Sequence, residues 1–395
     1  MGGKSSAADR TTRRQRSENL KIAHVVSYLS PDGSFGGPTR VALAQAATLA
    51  QRGHDVTVFA ASPPALAGST QREGFRLRTF AARRLAPFGW GGFASLSSAP
   101  LAAALIREAG AFDVAHVHLA RDLVTLPGAL AIRRAGTPYV LQPHGMIDPS
   151  KRALVGPLDA VATRPVLRDA ASVLALTEVE MAAIAQVEPK ARLSRIMNGI
   201  PESELPPYHD REDIVLFLAR LHRRKRPVEF VRMAELLSDL DNVQFILAGP
   251  DEGEAAAVRE AIAASGLSGR VQWVGSVTPE ETDSWFRRAR AYVLPSVDEV
   301  FPMTILEAMR MGAPVVTTTS LGIADWCIAY GAAAVTDGSA VQLAGEVRQI
   351  WTDGSRAEFL RRGGARLLSS EMSMDSVATV LERAYSRQPT RGEAR

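Results

Sequence analysis

Cysteine is almost absent: Cys327 is the single one in 395 residues. An intramolecular disulfide is therefore excluded, which fits a reducing cytoplasm. Long apolar runs are missing too. None approaches the roughly 18–20 residues that a membrane-spanning helix needs, and no apolar signal-peptide core follows the start. The first strand–loop–helix stretch also lacks G-x-G-x-x-G, so it does not carry the specific dinucleotide fingerprint.

What is present describes an ordinary soluble chain, with 46% apolar and 22% charged residues. Its length exceeds what one core usually serves, so two domains are expected. The net charge is +4, with a basic excess in the first 190 residues and an acidic excess in the remainder. A basic N-terminal half suits contact with an anionic membrane surface or anionic acceptor, and equally suits ordinary solvated charge. Residues 1–20 are polar and Arg-rich, the composition of a disordered tail. The opening Met1-Gly2-Gly3-Lys4-Ser5-Ser6 matches the short N-myristoylation pattern.

The N-terminal half alternates strands and helices. Residues Lys21 to Leu29 read as a buried parallel strand. A turn-rich loop from Pro31 follows, containing Gly36 and Gly37, then an alanine-rich helix to about Arg52 and a second strand from Asp55 to Ala60. That order is a βαβ unit. Gly36 and Gly37 either let backbone approach a ligand closely or simply make a turn. Phe75 to Phe80 is another strand. The Arg83-to-Phe93 segment mixes cations with Phe88, Trp90 and Phe93. It could dock at a lipid interface or fold on its own domain.

Asp113 to Leu119 is a strand whose His116 and His118 share one face by period-two spacing. No third ligand is evident nearby in sequence, so a zinc site is not expected. Pro138 to Gly145 is a strand ending in His144. Ligands of parallel α/β sheets bind beyond the carboxyl ends of strands, which makes His144 a candidate functional residue, with a structural hydrogen bond as the alternative. Strands at 171–177 and 193–199 and a Pro-rich linker at 201–211 close this half.

The pattern then restarts. Ile214 to Ala219 is a strand, and Arg220-Leu-His-Arg-Arg-Lys225-Arg226-Pro227 is a basic loop opening a helix. Arg binds phosphate oxygens in a fork and Lys supplies a point charge, so the loop suits a diphosphate. A nucleic-acid patch is the other reading, and no aromatic residues interleave to support it. Strands at 243–248, 271–275 and 291–295 follow. The last leads through Ser296–Glu299 into a helix whose first turn is placed at Pro302. Glu299 and Glu307 bracket that corner, where a helix N-terminus already favours anions. Carboxylates there suit a polyhydroxylated, phosphorylated ligand. A further strand, 312–318, and closing helices to about Arg387 complete an α/β chain of two doubly wound domains facing each other across a cleft.

These motifs, in this order, resemble the retaining glycosyltransferases of GT-B fold, in the GT4 or "glycosyl transferases group 1" set, over residues 21–388. They are Gly36-Gly37, Arg52-Gly-His-Asp-Val-Thr-Val58, His144, Asn198-Gly199-Ile200, the Arg220/Lys225 pair, Pro295-Ser296, Glu299 with Glu307 as E-x7-E, and Gly312-Ala-Pro-Val-Val. The resemblance implies an acceptor-side domain at 21–200, a donor domain at 212–373, and a C-terminal helix, 374–388, packed back on the first. It also implies a nucleoside-diphosphate-sugar donor. Arg220 and Lys225 would neutralise the diphosphate, Glu299 would contact sugar hydroxyls and Glu307 the ribose. Gly36 and Gly37 would lie near the phosphates, His144 near the sugar and Gly275 near the base. Phe301, Met303 and Thr304 complete the implied donor set.

No cofactor or metal is implied, and no DxD-like acidic site is seen; the two cations would supply the charge a divalent ion supplies elsewhere. Same-face attack on the donor needs no protein nucleophile. The corner reads Glu299-Val-Phe-Pro302 where many members read E-G-F-G, Ala219 replaces a glycine, and Leu321-Gly322-Ile-Ala-Asp325 replaces a Gly-Gly…Glu. These differences bear on how the sugar is held. The expected function is transfer of a hexose to a cell-envelope polysaccharide or glycolipid, by a cytoplasmic enzyme that can sit peripherally on the inner membrane face and does not bind nucleic acid. The alternatives are a sugar-nucleotide epimerase of the same architecture and a non-catalytic nucleotide-sugar-binding partner.

Overall fold

A computed structural model describes residues 19–29, 36–85, 95–150 and 154–386. The tail to residue 18, residues 30–35 of the first loop, residues 86–94 of the cationic aromatic segment, residues 151–153, and residues 387–395, which include the expected end of the last helix at 387–388, lie outside these. The chain divides into two compact units, Met1–Met197 with Met374–Arg395, and Asn198–Ser373.

The first unit is built on strands β1 (Lys21–Tyr28), β2 (Asp55–Ser62), β3 (Gly68–Arg72), β4 (Phe75–Ala81), β5 (Arg83–Arg84), β6 (Leu96–Ser97), β7 (Val114–Val117), β8 (Tyr139–Leu141), β9 (Ser172–Ala175) and β10 (Leu193–Arg195). Eight of them form one sheet in the order β10-β9-β8-β7-β1-β2-β4-β3, while β5 and β6 pair separately. The central strands carry near-continuous apolar runs because helices cover both faces, as in other parallel sheets; Ile22, Ala23, Val25 and Val26 of β1 are all buried. The separate β5–β6 pair is antiparallel, and within the eight-stranded sheet only β3 runs antiparallel, hairpinned to β4. Its two-residue turn, Glu73-Gly74, has positive φ at both positions (46° and 85°), as a hairpin of this length requires.

Helix α1 (Gly36–Gln51) follows β1, and α2 (Glu178–Val187) follows β9. In the second unit β11 (Glu212–Leu218), β12 (Gln244–Ala248), β13 (Val271–Trp273), β14 (Ala289–Val293), β15 (Val315–Thr318) and β16 (Ala334–Thr336) form an all-parallel sheet in the order β13-β12-β11-β14-β15-β16. Its core includes Phe217, Phe230 and Phe245, all fully buried. Each such side chain contributes roughly 2–3 kcal/mol by leaving water. The carboxyl ends of β11 and β12 approach so closely that a Cβ on Gly249 would lie 2.0 Å from the Ala219 carbonyl oxygen. Glycine is obligatory there.

Helices α3 (Pro227–Glu235) and α4 (Met303–Arg310) open beyond β11 and β14. The chain then returns to the first unit through α5 (Met374–Ser386). This return explains the Arg52-Gly-His54 motif. Arg52 donates to Glu382 at 2.7 Å and to Thr379 at 2.9 Å, and His54 Nε2 meets Glu382 at 3.1 Å. No described helix is long and apolar enough to cross a membrane.

Candidate active site

In the second unit the two-glutamate corner is clamped from both sides. On one side Val297 N–H donates to the Arg224 carbonyl at 2.8 Å. On the other, Asp298 N–H donates to Ser320 Oγ at 2.7 Å, and Gly322 N–H to the Glu299 carbonyl at 2.9 Å. Asp298 takes a left-handed conformation (φ 52°) to make the turn, a cost that persists only where neighbours over-determine it.

The corner thereby delivers Glu299 to the basic loop. Lys225 Nζ donates to Glu299 Oε1. The second oxygen, Oε2, is buried and has no hydrogen-bond partner among the described residues. Lys225 is brought in by a short 3-10 turn, Arg223–Lys225, whose N-terminal His222 accepts from Arg224 N–H at 3.2 Å. Burial pulls the Lys225 pKa down, and the charge and hydrogen bond of Glu299 oppose the shift. Arg220 stands further out, with its guanidinium on Glu252 at 2.7 Å and about half its side chain exposed.

Glu307 is buried on α4. Both glutamate charges reach Tyr292 at the end of β14, adding to the burial that raises its pKa. Tyr292 Oη lies 2.9 Å from Thr304 Oγ1. The two glutamates therefore belong to one local site. Met303 and Phe301 are half-buried and buried, respectively. Gly275, in the left-handed region (φ 82°), lies beside Gly249, whose N–H donates to its carbonyl at 2.7 Å.

Sequence reading places Pro302 inside the first helical turn. It stands one position earlier, as the cap, with an extended ψ of 104°, and the helix opens at Met303.

In the first unit Gly36 and Gly37 are the first residues of α1 rather than part of the loop before it. Thr39 Oγ1 ties this end to β1 through the Tyr28 carbonyl at 3.1 Å. Among the described residues, a Cβ at Gly37 would meet nothing within 4 Å.

His144 lies three residues beyond β8, held left-handed (φ 54°). The buried Glu180 carboxylate pins this corner, accepting Gly145 N–H at 2.6 Å and Leu176 N–H at 2.7 Å. His144 Nε2 meets His118 Nδ1 at 2.8 Å. Burial depresses the His144 pKa to about 3, so the ring is neutral near pH 7.

The expectation of no third ligand beside His116 and His118 is overturned. Parallel pairing of β1 with β7 sets His24 opposite His116, and ligand nitrogens of His24, His116 and His118 lie within 4.8 Å of one another. The missing neighbour was remote in sequence and adjacent in register. All of these nitrogens bond to one another, to His144 or to Tyr385, except His116 Nε2, which is buried without a hydrogen-bond partner among the described residues. Sequence reading also missed Glu180, Tyr292 and Tyr385. His24 carried the one legible signal, a lone polar residue inside an apolar strand.

Residues 204–366 match the family model for glycosyl transferases group 1, and residues 36–199 match that for the glycosyl transferase 4-like domain. The chain is 32% identical over 150 residues to the 2-deoxystreptamine N-acetyl-D-glucosaminyltransferase of Niallia circulans, covering 37% of this chain and only 38% of that protein. It is 25% identical over 422 aligned residues to the D-inositol 3-phosphate glycosyltransferase of Xylanimonas cellulosilytica, covering 95% and 98%. Among solved structures, Anabaena HepE in complex with UDP-glucose aligns at 20% identity with a TM-score of 0.72, over 93% of this chain and 100% of that one. Two family models that together span most of the chain, on two doubly wound parallel units, make it a member of the GT4-type glycosyltransferases of GT-B fold.

Proposed function

We propose that this glycosyltransferase moves a hexose from a nucleoside-diphosphate donor to a hydroxyl acceptor with retention at the anomeric carbon. The observation that carries the reading is the Lys225–Glu299 pair, in which a half-buried cation is held beside a carboxylate with one oxygen unpartnered among the described residues. Lys225 and Arg220 take the diphosphate, whose negative charge grows as the sugar–phosphate bond breaks. Charge placed in advance at that position lowers the barrier without reorganisation. Glu299 and His144 hold sugar hydroxyls, and Glu307 holds the ribose. Gly36 and Gly37 lie at the phosphates, Gly275 at the base, and Phe301, Met303 and Thr304 along the donor.

The acceptor hydroxyl attacks on the face from which the diphosphate departs, and a phosphate oxygen takes its proton. Catalysis is metal-independent on this reading, because the two cations supply the charge. The acceptor is a cell-envelope polysaccharide or glycolipid, met at the inner membrane face, and the basic N-terminal half supports such a surface. A second reading is favoured by the relatives' names: a cyclitol, since 2-deoxystreptamine and inositol phosphate enzymes both align.

The test is a panel of nucleotide-sugars with the purified protein, with and without EDTA, in which nucleoside diphosphate release is measured. Lipid-linked saccharides are offered in one arm and cyclitols in the other. Transfer with an unchanged anomeric configuration supports the proposal. Donor conversion to an epimer without an acceptor, or EDTA-abolished turnover, contradicts it.

A further inference from the structure

Five side chains in the first unit form one continuous hydrogen-bonded chain. From the corner inward, His144 Nε2 meets His118 Nδ1 at 2.8 Å, and His118 Nε2 meets His24 Nδ1 at 3.3 Å. His24 Nε2 then meets Tyr385 Oη at 3.4 Å, and Tyr385 Oη meets His116 Nδ1 at 2.8 Å. The rings of His118 and His144 stack with centroids 5.1 Å apart and planes 13° from parallel. His24, His116, His118 and Tyr385 are all buried. Burial lowers the pKa of all four imidazoles, so each ring carries a single proton near neutral pH.

A neutral imidazole donates from one nitrogen and accepts at the other, and a phenol donates once. His118, His24 and Tyr385 each use both faces within the chain. Placing one proton therefore places its neighbours. Only two arrangements fill every bond and also use the Tyr385 O–H within the chain. In the first, His144 donates inward, each ring passes the same polarity on, Tyr385 donates to His116, and His144 Nδ1 is left a bare acceptor. In the second, His116 donates to Tyr385, the polarity runs outward, and His144 Nδ1 carries the proton. The second is favoured, because the first puts an N–H on His116 Nε2, which is buried without a hydrogen-bond partner among the described residues. A mixed arrangement sets two N–H groups or two lone pairs face to face, or turns both ring N–H groups onto Tyr385 Oη and strands its O–H, inside the sheet, where a lost bond is not replaced by water.

We propose that this relay fixes the tautomer of His144, so that Tyr385 of the C-terminal helix governs whether that ring offers a donor or an acceptor to its ligand. His118, His24 and Tyr385 are positioning residues; they act through His144. The identity of the ligand as the donor sugar rests on the function proposed above, whereas the relay itself does not.

Nitrogen-15 labelling of the seven histidines in the full-length protein, read by long-range proton–nitrogen correlation, reports the tautomer of each ring. His144 is assigned from a His144→Gln spectrum. The wild type should show a single His144 tautomer. Tyr385→Phe removes only a hydroxyl, at a residue not bonded to His144, and should leave His144 populating both forms. An unchanged single tautomer in folded Tyr385→Phe overturns the relay. Should that variant fail to fold, His24→Asn interrupts the chain at the next link and is read the same way. Cutting the relay should also lower kcat about tenfold, the equivalent of one hydrogen bond at the transition state, with donor KM little changed. A mixed tautomer with unaltered turnover keeps the relay and removes His144 from the sugar, so the two failures are read separately.

Discussion

Lys225 and Glu299 are bonded to each other between two loops at the carboxyl end of the second sheet, although 74 residues separate them in sequence. Their side chains are only 13% and 20% exposed. An ammonium has three donors and a carboxylate about four acceptor sites, so one bond between them leaves both able to hold a ligand. On the function proposed above, an arriving diphosphate would compete with Glu299 for Lys225, turning the carboxylate toward sugar hydroxyls while the cation keeps an anionic partner.

Removing the cations should therefore separate catalysis from folding. Lys225→Ala and Arg220→Ala should each lower kcat/KM by about 10²-fold or more, as loss of a preorganised charge does elsewhere. Arg220→Ala should leave the melting temperature nearly unchanged, since exposed ion pairs such as Arg220–Glu252 are worth about 0–1 kcal/mol. Lys225→Ala should melt earlier, because it leaves Glu299 largely buried without its cation. Steady-state kinetics beside thermal melts check both statements.

Glu180 should prove to be a structural support of the His144 corner. Glu180→Ala strands the Gly145 and Leu176 N–H groups, at about 1–3 kcal/mol for each buried donor left unmade. Denaturant melts should show a loss of at least that order, with Glu180→Gln recovering part of it. A melt indistinguishable from wild type would remove the support.

The histidine chain should make the first unit acid-labile. His24 and His144 are depressed from 6.5 to about 3, and His116 and His118 are also well below 6.5. Between about pH 6.5 and pH 3 the unfolded chain binds protons that the folded chain refuses, so stability rises with pH across that window. The stabilisation is complete above pH 6.5 and is lost as pH falls toward 3. Each histidine contributes a slope approaching about 1.4 kcal/mol per pH unit. Urea melts from pH 7 to pH 5 should show this loss, and His118→Asn should flatten it.

Legibility in the sequence followed the range of the interactions. The central strands were readable because burial on both faces leaves apolar runs broken only by single residues such as His24 and His116, and E-x7-E was readable because its spacing is local. Strand β3, Gly-Ser-Thr-Gln-Arg, is fully exposed at a sheet edge and carries no apolar pattern to read. Strand β16 spans only three residues. The His24–His118 bond joins residues 94 apart, and Tyr385 reaches His24 across 361. Such contacts follow from strand register and from the return of the last helix, which local periodicity does not encode.

The most direct test of the central claim is nucleoside diphosphate release from a panel of nucleotide-hexoses, comparing wild type with Lys225→Ala. The account predicts acceptor-dependent release and glycoside formation from at least one donor by the wild type, and about 10²-fold less by the variant. Equal release by the two proteins, or none from any donor with either acceptor class, would contradict it.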